Sequence, residues 1–168
     1  AVVMDKTGTL TKGVFKVQQV VSVNIDEKEL VKLTAAVEKN STHPIAKAVT
    51  EYAGETVNGI NADAVEEIAG YGLKGKVGGR DLLAGNAKLL KKYNISYPTE
   101  IETIVDTIVV VAINNQYAGF ITIADEIKDD AAQAVKDMHS FNIKTVMLSG
   151  DKQSVVDEVA RKIGIDEA

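Results

Sequence analysis

The chain contains no cysteine, so it can build neither a disulfide framework nor a thiolate metal site. Its two histidines, His43 and His139, are too few for a transition-metal cluster built on imidazole. No apolar run approaches the roughly 20 residues that span a bilayer, and no signal peptide opens the chain. Positive charge is also in short supply. Nineteen Lys and Arg face 24 Asp and Glu, for a net charge of −5 and a pI near 5.1. Such a surface repels phosphate backbones, which argues against nucleic acid as a partner. These absences lead us to expect a soluble, reduced, intracellular polypeptide. What is present is ample apolar material: 45% of 168 residues, enough for one ordinary domain or two small ones with a real core.

Three zones follow one another. Val2–Met4 reads as the end of a buried strand and runs at once into a polar loop with a glycine. The middle zone, about 12–122, mixes short strands and helices. Strands are expected over Val14–Val23, Ala64–Ile68, Gly72–Val77 and Asp81–Ala84. Ile108–Ile113 and Tyr117–Ile123 flank Asn114-Asn115-Gln116, a hairpin signal. Asp26 and Glu29 spell a capping box for a helix over 27–39, with Leu30, Leu33, Ala36 and Val37 on one face. A second helix follows Thr42 with Pro44 in its first turn, and a short one covers Asn86–Tyr93.

The third zone has a crossover rhythm: a helix over 128–141, a strand Lys144–Leu148, then Ser149-Gly150-Asp151 and a helix over 152–163. Zones one and three share a design, a short apolar strand with an Asp just past its C-terminal end. Ligands bind at that edge of open parallel sheets. The fold expected is therefore α/β. A partial Rossmann-like domain is made by the chain ends, 1–11 and 124–168. An inserted α+β module of antiparallel sheet and helices covers 12–123. Beginning one strand before its most informative residues, and ending just after a helix, the chain reads as an excised fragment.

Asp5-Lys6-Thr7-Gly8-Thr9-Leu10-Thr11 is the segment richest in chemistry. A carboxylate is a competent oxygen nucleophile, but attack on a phosphorus bearing negative oxygens needs charge neutralisation. Mg²⁺, a lysine and backbone N–H groups supply it. Glycine and three hydroxyl residues suit a loop that wraps a phosphoryl group. A bare Asp-x-Thr-Gly is also an ordinary turn.

The full seven-residue string, set directly after a strand, resembles the phosphorylation signature of P-type ATPases, members of the haloacid-dehalogenase superfamily. The resemblance implies that Asp5 is phosphorylated by ATP. Phosphatases of that superfamily carry an acid two residues after the nucleophile, where this chain has Thr7. Losing it should slow hydrolysis of the aspartyl phosphate. Ser149-Gly150-Asp151 resembles the family's Thr-Gly-Asp, and serine keeps the hydroxyl donor. Asp125-Glu126-Ile127-Lys128 resembles the Asp-x-x-Lys/Arg segment at the family's second hinge; alternatively it is a surface pair at a helix start.

Ser41-Thr42-His43-Pro44-Ile45-Ala46, with Glu38 five residues before the histidine, resembles the histidine–proline motif of heavy-metal-transporting P-type ATPases. The resemblance implies that Glu38 accepts from the adenine amino group and that His43 lies near the base. Gly70-Tyr71-Gly72-Leu73-Lys74-Gly75 spells G-x-G-x-x-G. The following Lys76-Val77-Gly78-Gly79-Arg80 is too glycine-dense for a helix, which rejects a dinucleotide fingerprint. The subfamily's G-x-G adenine loop matches better, with Gly85 as a further glycine of that pocket. Gly78 and Gly79 read as a plain turn, and His139 as a solvated or helix-end residue.

Taken together, the resemblance implies Mg-ATP bound through Glu38, His43, Gly70, Gly72 and Gly85. Asp5, Lys6, Thr7, Ser149, Gly150 and Asp151 form the phosphoryl site, with the Asp5 carboxylate and Thr7 carbonyl ligating Mg²⁺. It implies the cytoplasmic part of a bacterial plasma-membrane pump of the zinc/cadmium/cobalt branch. Its partners would be membrane and actuator domains outside this sequence, and the exported cation would bind there. No segment matches the family's later lysine or its Gly-Asp-Gly-x-Asn-Asp, so these 168 residues are expected to bind nucleotide without useful turnover. The rival expectations are a soluble phosphatase of the superfamily and a non-catalytic nucleotide-binding module.

Overall fold

Residues 1–168 are all described by a computed structural model, in which the chain divides into two compact units. One comprises Ala1–Val14 with Asp125–Ala168, the other Phe15–Ala124.

In the first unit, β1 (Val2–Asp5) pairs in parallel with β8 (Thr145–Leu148). The intervening chain supplies six further strands, β2 to β7, described below. Parallel strands need a crossover, and α4 (Ala131–Ser140) precedes β8 while α5 (Gln153–Ile163) follows it. Alternation sends Met147 into a small core with Leu10, Ala131, Val156, Ala160 and Ile163. Gly164, left-handed at φ +83°, ends α5 where a side chain would be strained. His139 is not merely solvated. Its Nε2 lies 3.0 Å from Asp166 Oδ2 and 3.2 Å from Thr145 Oγ1, tying the end of α4 to the start of β8.

The second unit is built on a six-stranded sheet in the order β2-β7-β6-β5-β4-β3. The strands are β2 (Thr11–Ser22), β3 (Ala62–Ile68), β4 (Gly72–Val77), β5 (Arg80–Gly85), β6 (Thr107–Ile113) and β7 (Gln116–Ile127). From β3 to β7 each neighbour pairs antiparallel. The mixed α/β class with an antiparallel sheet is as the sequence led us to expect. The β6–β7 turn is tighter than expected: Asn114 and Asn115 alone form it, both with positive φ, as two-residue hairpins of primed type require. β7 also runs four residues past its expected end, to Ile127, and so carries Asp125 within the strand.

Helices α1 (Glu27–Glu38) and α2 (Pro44–Ala53) belong to the larger of this unit's two cores, and α3 (Ala87–Lys92) to the other. The four residues expected on one face of α1 are 0–2% exposed. Truncating Leu30 or Leu33 to Ala should each remove about 2–5 kcal/mol. Only half of the expected capping box forms. Asp26 accepts from the backbone N–H of Lys28 and Glu29, but the Glu29 carboxylate turns to Arg80 at 2.7 Å. A guanidinium is a stronger donor than a backbone N–H, so the ion pair wins.

Candidate functional site

Two constellations emerge, one in each unit. In the first unit, β1 and β8 run in register with Asp5 opposite Leu148. Their parallel pairing brings Asp5-Lys6-Thr7 and Ser149-Gly150-Asp151 to the same sheet edge. After Asp5 the backbone enters a tight turn over Lys6–Leu10, where Gly8 takes φ +79° and no side chain would sit comfortably. Lys128 Nζ donates to the Gly8 carbonyl at 3.0 Å and pins the turn. Asp5 and Thr7 are exposed.

Lys6 behaves differently from its neighbours. Only 4% exposed, it places Nζ 2.7 Å from Asp151 Oδ2 and 4.0 Å from Asp125 Oδ2. The Lys6 ammonium holds the Asp151 carboxyl below the usual carboxylate range, with Ser149 assisting. The Asp151 side chain is 44% exposed, whereas Lys6 is buried. Asp125 is no surface pair: its side chain is 3% exposed, and Oδ2 accepts from Thr11 Oγ1 at 2.5 Å. Its Oδ1 is buried without a partner. Thr11 Oγ1 in turn accepts from the Gly8 N–H, linking buried carboxylate to turn. Sequence reasoning placed Asp125 at a hinge and missed this linkage. An apolar strand that carries an acid inward at its end was the signal.

Asp125→Asn keeps the shape but removes the buried counter-charge of Lys6. We expect a loss of about 1–3 kcal/mol, read as a lower melting temperature.

In the second unit, Glu38, His43, Gly70, Gly72 and Gly85 all line one cleft of about 300 Å³. Ile45, Ala46, Leu73, Ala84 and Val109 supply apolar wall. His43 is the N-cap of α2: its Nδ1 accepts from the Ile45 N–H at 3.2 Å. That bond leaves the ring proton on Nε2. Asn86 locks the glycine segments together, donating to the Gly70 carbonyl at 2.9 Å while its backbone N–H bonds the Tyr71 carbonyl.

Glu38 is 7% exposed, and burial pushes its carboxyl up to about 7. A folded-state value above the unfolded one means that ionisation opposes folding. The penalty is absent below the unfolded value, grows with rising pH, and is complete above about 7. Glu38→Gln should therefore stabilise the protein at alkaline pH, by on the order of 3 kcal/mol, and change little near pH 4. Thermal melts at both pH values check this.

The chain matches the haloacid dehalogenase-like hydrolase family over residues 1–168. It is 45% identical to a zinc-transporting ATPase of Synechocystis sp. over 98% of its own length and 23% of that protein's. It is 43% identical to a cadmium, zinc and cobalt-transporting ATPase of Bacillus subtilis, over 98% and 24%. It thus spans about a quarter of the length of the curated relatives it matches. Its fold follows the crystal structure of a zinc-transporting PIB-type ATPase in the E2.Pi state. The TM-score is 0.86 and the identity 30%, covering 99% of this chain and 28% of that one. No helix is long and apolar enough to cross a membrane. The chain belongs to the haloacid dehalogenase-like hydrolases, and its relatives within them are the heavy-metal-transporting P-type ATPases.

Proposed function

We propose that this chain is the ATP-binding and phosphoryl-accepting part of a P-type ATPase that exports a zinc-, cadmium- or cobalt-like divalent cation. The observation that carries it is the meeting of the Asp5 and Ser149–Asp151 loops at one strand edge, with the buried Lys6 bridging them. An exposed carboxylate with no partner, on a loop whose neighbouring lysine pairs with Asp151, is free to make the in-line attack on phosphorus.

The unit 1–14 with 125–168 acts as the phosphorylation domain, and 15–124 as the nucleotide domain. Adenine occupies the cleft of Glu38, His43, Gly70, Gly72 and Gly85. An Asp5 oxygen attacks the γ-phosphorus, forming the acyl-phosphate bond as the bond to the β,γ-bridging oxygen breaks and ADP leaves. Ser149 Oγ and the backbone N–H groups of Thr7 and Gly150 bind the phosphoryl oxygens. Lys6 balances the charge of Asp151 and Asp125. With Thr7 where phosphatases have an acid, no side chain on that turn can activate water against the intermediate.

No group of three or more His, Cys, Asp or Glu is placed to hold a metal ion. The oxygens of Asp5 and Thr7 are nonetheless the hard donors that Mg²⁺ takes, since it binds through few protein ligands plus phosphate. When bound it would neutralise charge on the transferring group. The remainder of the protein would supply membrane and actuator domains, leaving this part on the cytoplasmic side.

ATP hydrolysis by the full-length protein in membranes should rise with added Zn²⁺, Cd²⁺ or Co²⁺. Metal-independent hydrolysis of small phosphate esters would instead support a phosphatase.

A further inference from the structure

Glu38 has no cation to face. It closes α1, where the negative end of the helix dipole disfavours a carboxylate. It shares the lining of the cleft with the apolar Ile45, Ala46, Leu73 and Val109. The other titratable side chains lining that cleft are His43 from the turn before α2, Glu67 from β3 and Tyr71 from the β3–β4 turn. No lysine or arginine lines it. The cations on the packed elements are engaged elsewhere. Lys47 pairs with Glu51, Lys76 with Asp81 and Arg80 with Glu29, while Lys92 lies over the Tyr71 ring and Lys74 over that of Tyr93. No hydrogen bond or ion pair reaches the Glu38 carboxyl, and burial is the single cause of its raised value. A buried, unpaired carboxyl is favoured in its neutral form.

We propose that Glu38 reads the base as a neutral carboxylic acid, so that nucleotide binding takes up a proton and selects adenine. This rests on the reading of the cleft as a nucleotide site. A neutral acid presents one donor and one acceptor side by side. Adenine presents the complement, a ring-nitrogen acceptor beside an exocyclic amino donor. The acid O–H donates to the ring nitrogen, and its carbonyl oxygen accepts from the amino group. An ionised carboxylate would set an oxygen lone pair against the ring-nitrogen lone pair. It would instead suit guanine, whose ring N–H and amino group are both donors. The protonation state of one side chain thus sets purine preference. The proton comes from solvent and stays on Glu38 in the complex.

Titration calorimetry of the 168-residue chain with ATP and GTP, at about pH 6 and pH 8 and in buffers of differing ionisation enthalpy, tests this. We expect ATP affinity to fall about tenfold from the lower to the higher pH, with uptake approaching one proton per ATP at the higher. The preference for ATP over GTP should narrow in parallel. Glu38→Gln, permanently neutral with one donor and one acceptor, should lose both the proton uptake and the pH slope. Wild-type binding without proton uptake, or a slope that persists undiminished in Glu38→Gln, overturns the proposal and leaves the nucleotide site standing. If Glu38→Gln does not fold, the wild-type proton count alone decides. Wild-type protein that binds no ATP at either pH overturns the site reading itself.

Discussion

Asp5→Asn in the full-length protein abolishes the phosphoenzyme and leaves the melting temperature almost unchanged. Both halves of this expected result follow from the same geometry. The Asp5 side chain is exposed, and nothing in the fold donates to it or pairs with it. Replacing an exposed carboxylate by its isosteric amide changes stability by no more than roughly 0.5 kcal/mol. The chemistry has no such tolerance. An amide oxygen is a far poorer nucleophile than a carboxylate and cannot form the acyl phosphate, so phosphorylation should drop at least about a thousandfold. Acid-stable, hydroxylamine-sensitive incorporation of label from ATP measures it, beside a thermal melt. The contrast with Asp125→Asn is informative. That change should lower stability, because its carboxylate is buried against Thr11 and Lys6.

Gly85→Ala carries the largest expected effect in the nucleotide unit. Gly72 and Gly85 are directly opposite in the β4–β5 ladder, and neither has room for a methyl group. A Cβ on Gly85 would lie 2.1 Å from the Tyr71 carbonyl oxygen, 2.8 Å from Gly72 Cα and 2.9 Å from Leu89 Cδ2. One on Gly72 would meet the Ala84 carbonyl oxygen at 2.3 Å and Gly85 Cα at 2.5 Å. Most of these obstacles are backbone, which cannot rotate away, so the strands must part. We expect a loss exceeding about 3 kcal/mol and at least a tenfold fall in ATP affinity. Gly70→Ala is the control for backbone strain alone. It has φ +78° with open space where Cβ would be, and should lose only about 1–2 kcal/mol. Calorimetric binding and thermal melts of both variants separate steric closure from strain. A Gly85→Ala protein of wild-type stability would contradict the tight strand crossing.

The elements were largely legible because they obey local rules. Pro44 after His43 started α2 where expected, and the apolar positions of α1 gave its buried face. The glycines of the cleft could be located by motif, but not explained. Why Gly85 must be glycine depends on Tyr71, fourteen residues away in sequence and adjacent only across the ladder. Glu29 shows the same limit. Local spacing pairs it with Asp26, whereas the folded chain presents Arg80. Asp125 was read by resemblance as a hinge residue, or else as half of a surface pair at a helix start, where an acid is ordinarily solvated. Its partners Lys6 and Thr11 come from the other end of the chain, and no local pattern foretells them. Glu38 belongs to the same class: its place in α1 was evident, but its lack of any counter-ion was not.

The central claim is that phosphate is carried by Asp5, and locating the label tests it most directly. The full-length protein is phosphorylated with radiolabelled ATP, quenched in acid and digested, and the labelled peptide is sequenced by mass spectrometry. All hydroxylamine-sensitive label should reside on the peptide containing Asp5, at that residue. Label on any other carboxylate, or on serine, threonine or histidine, would contradict the account.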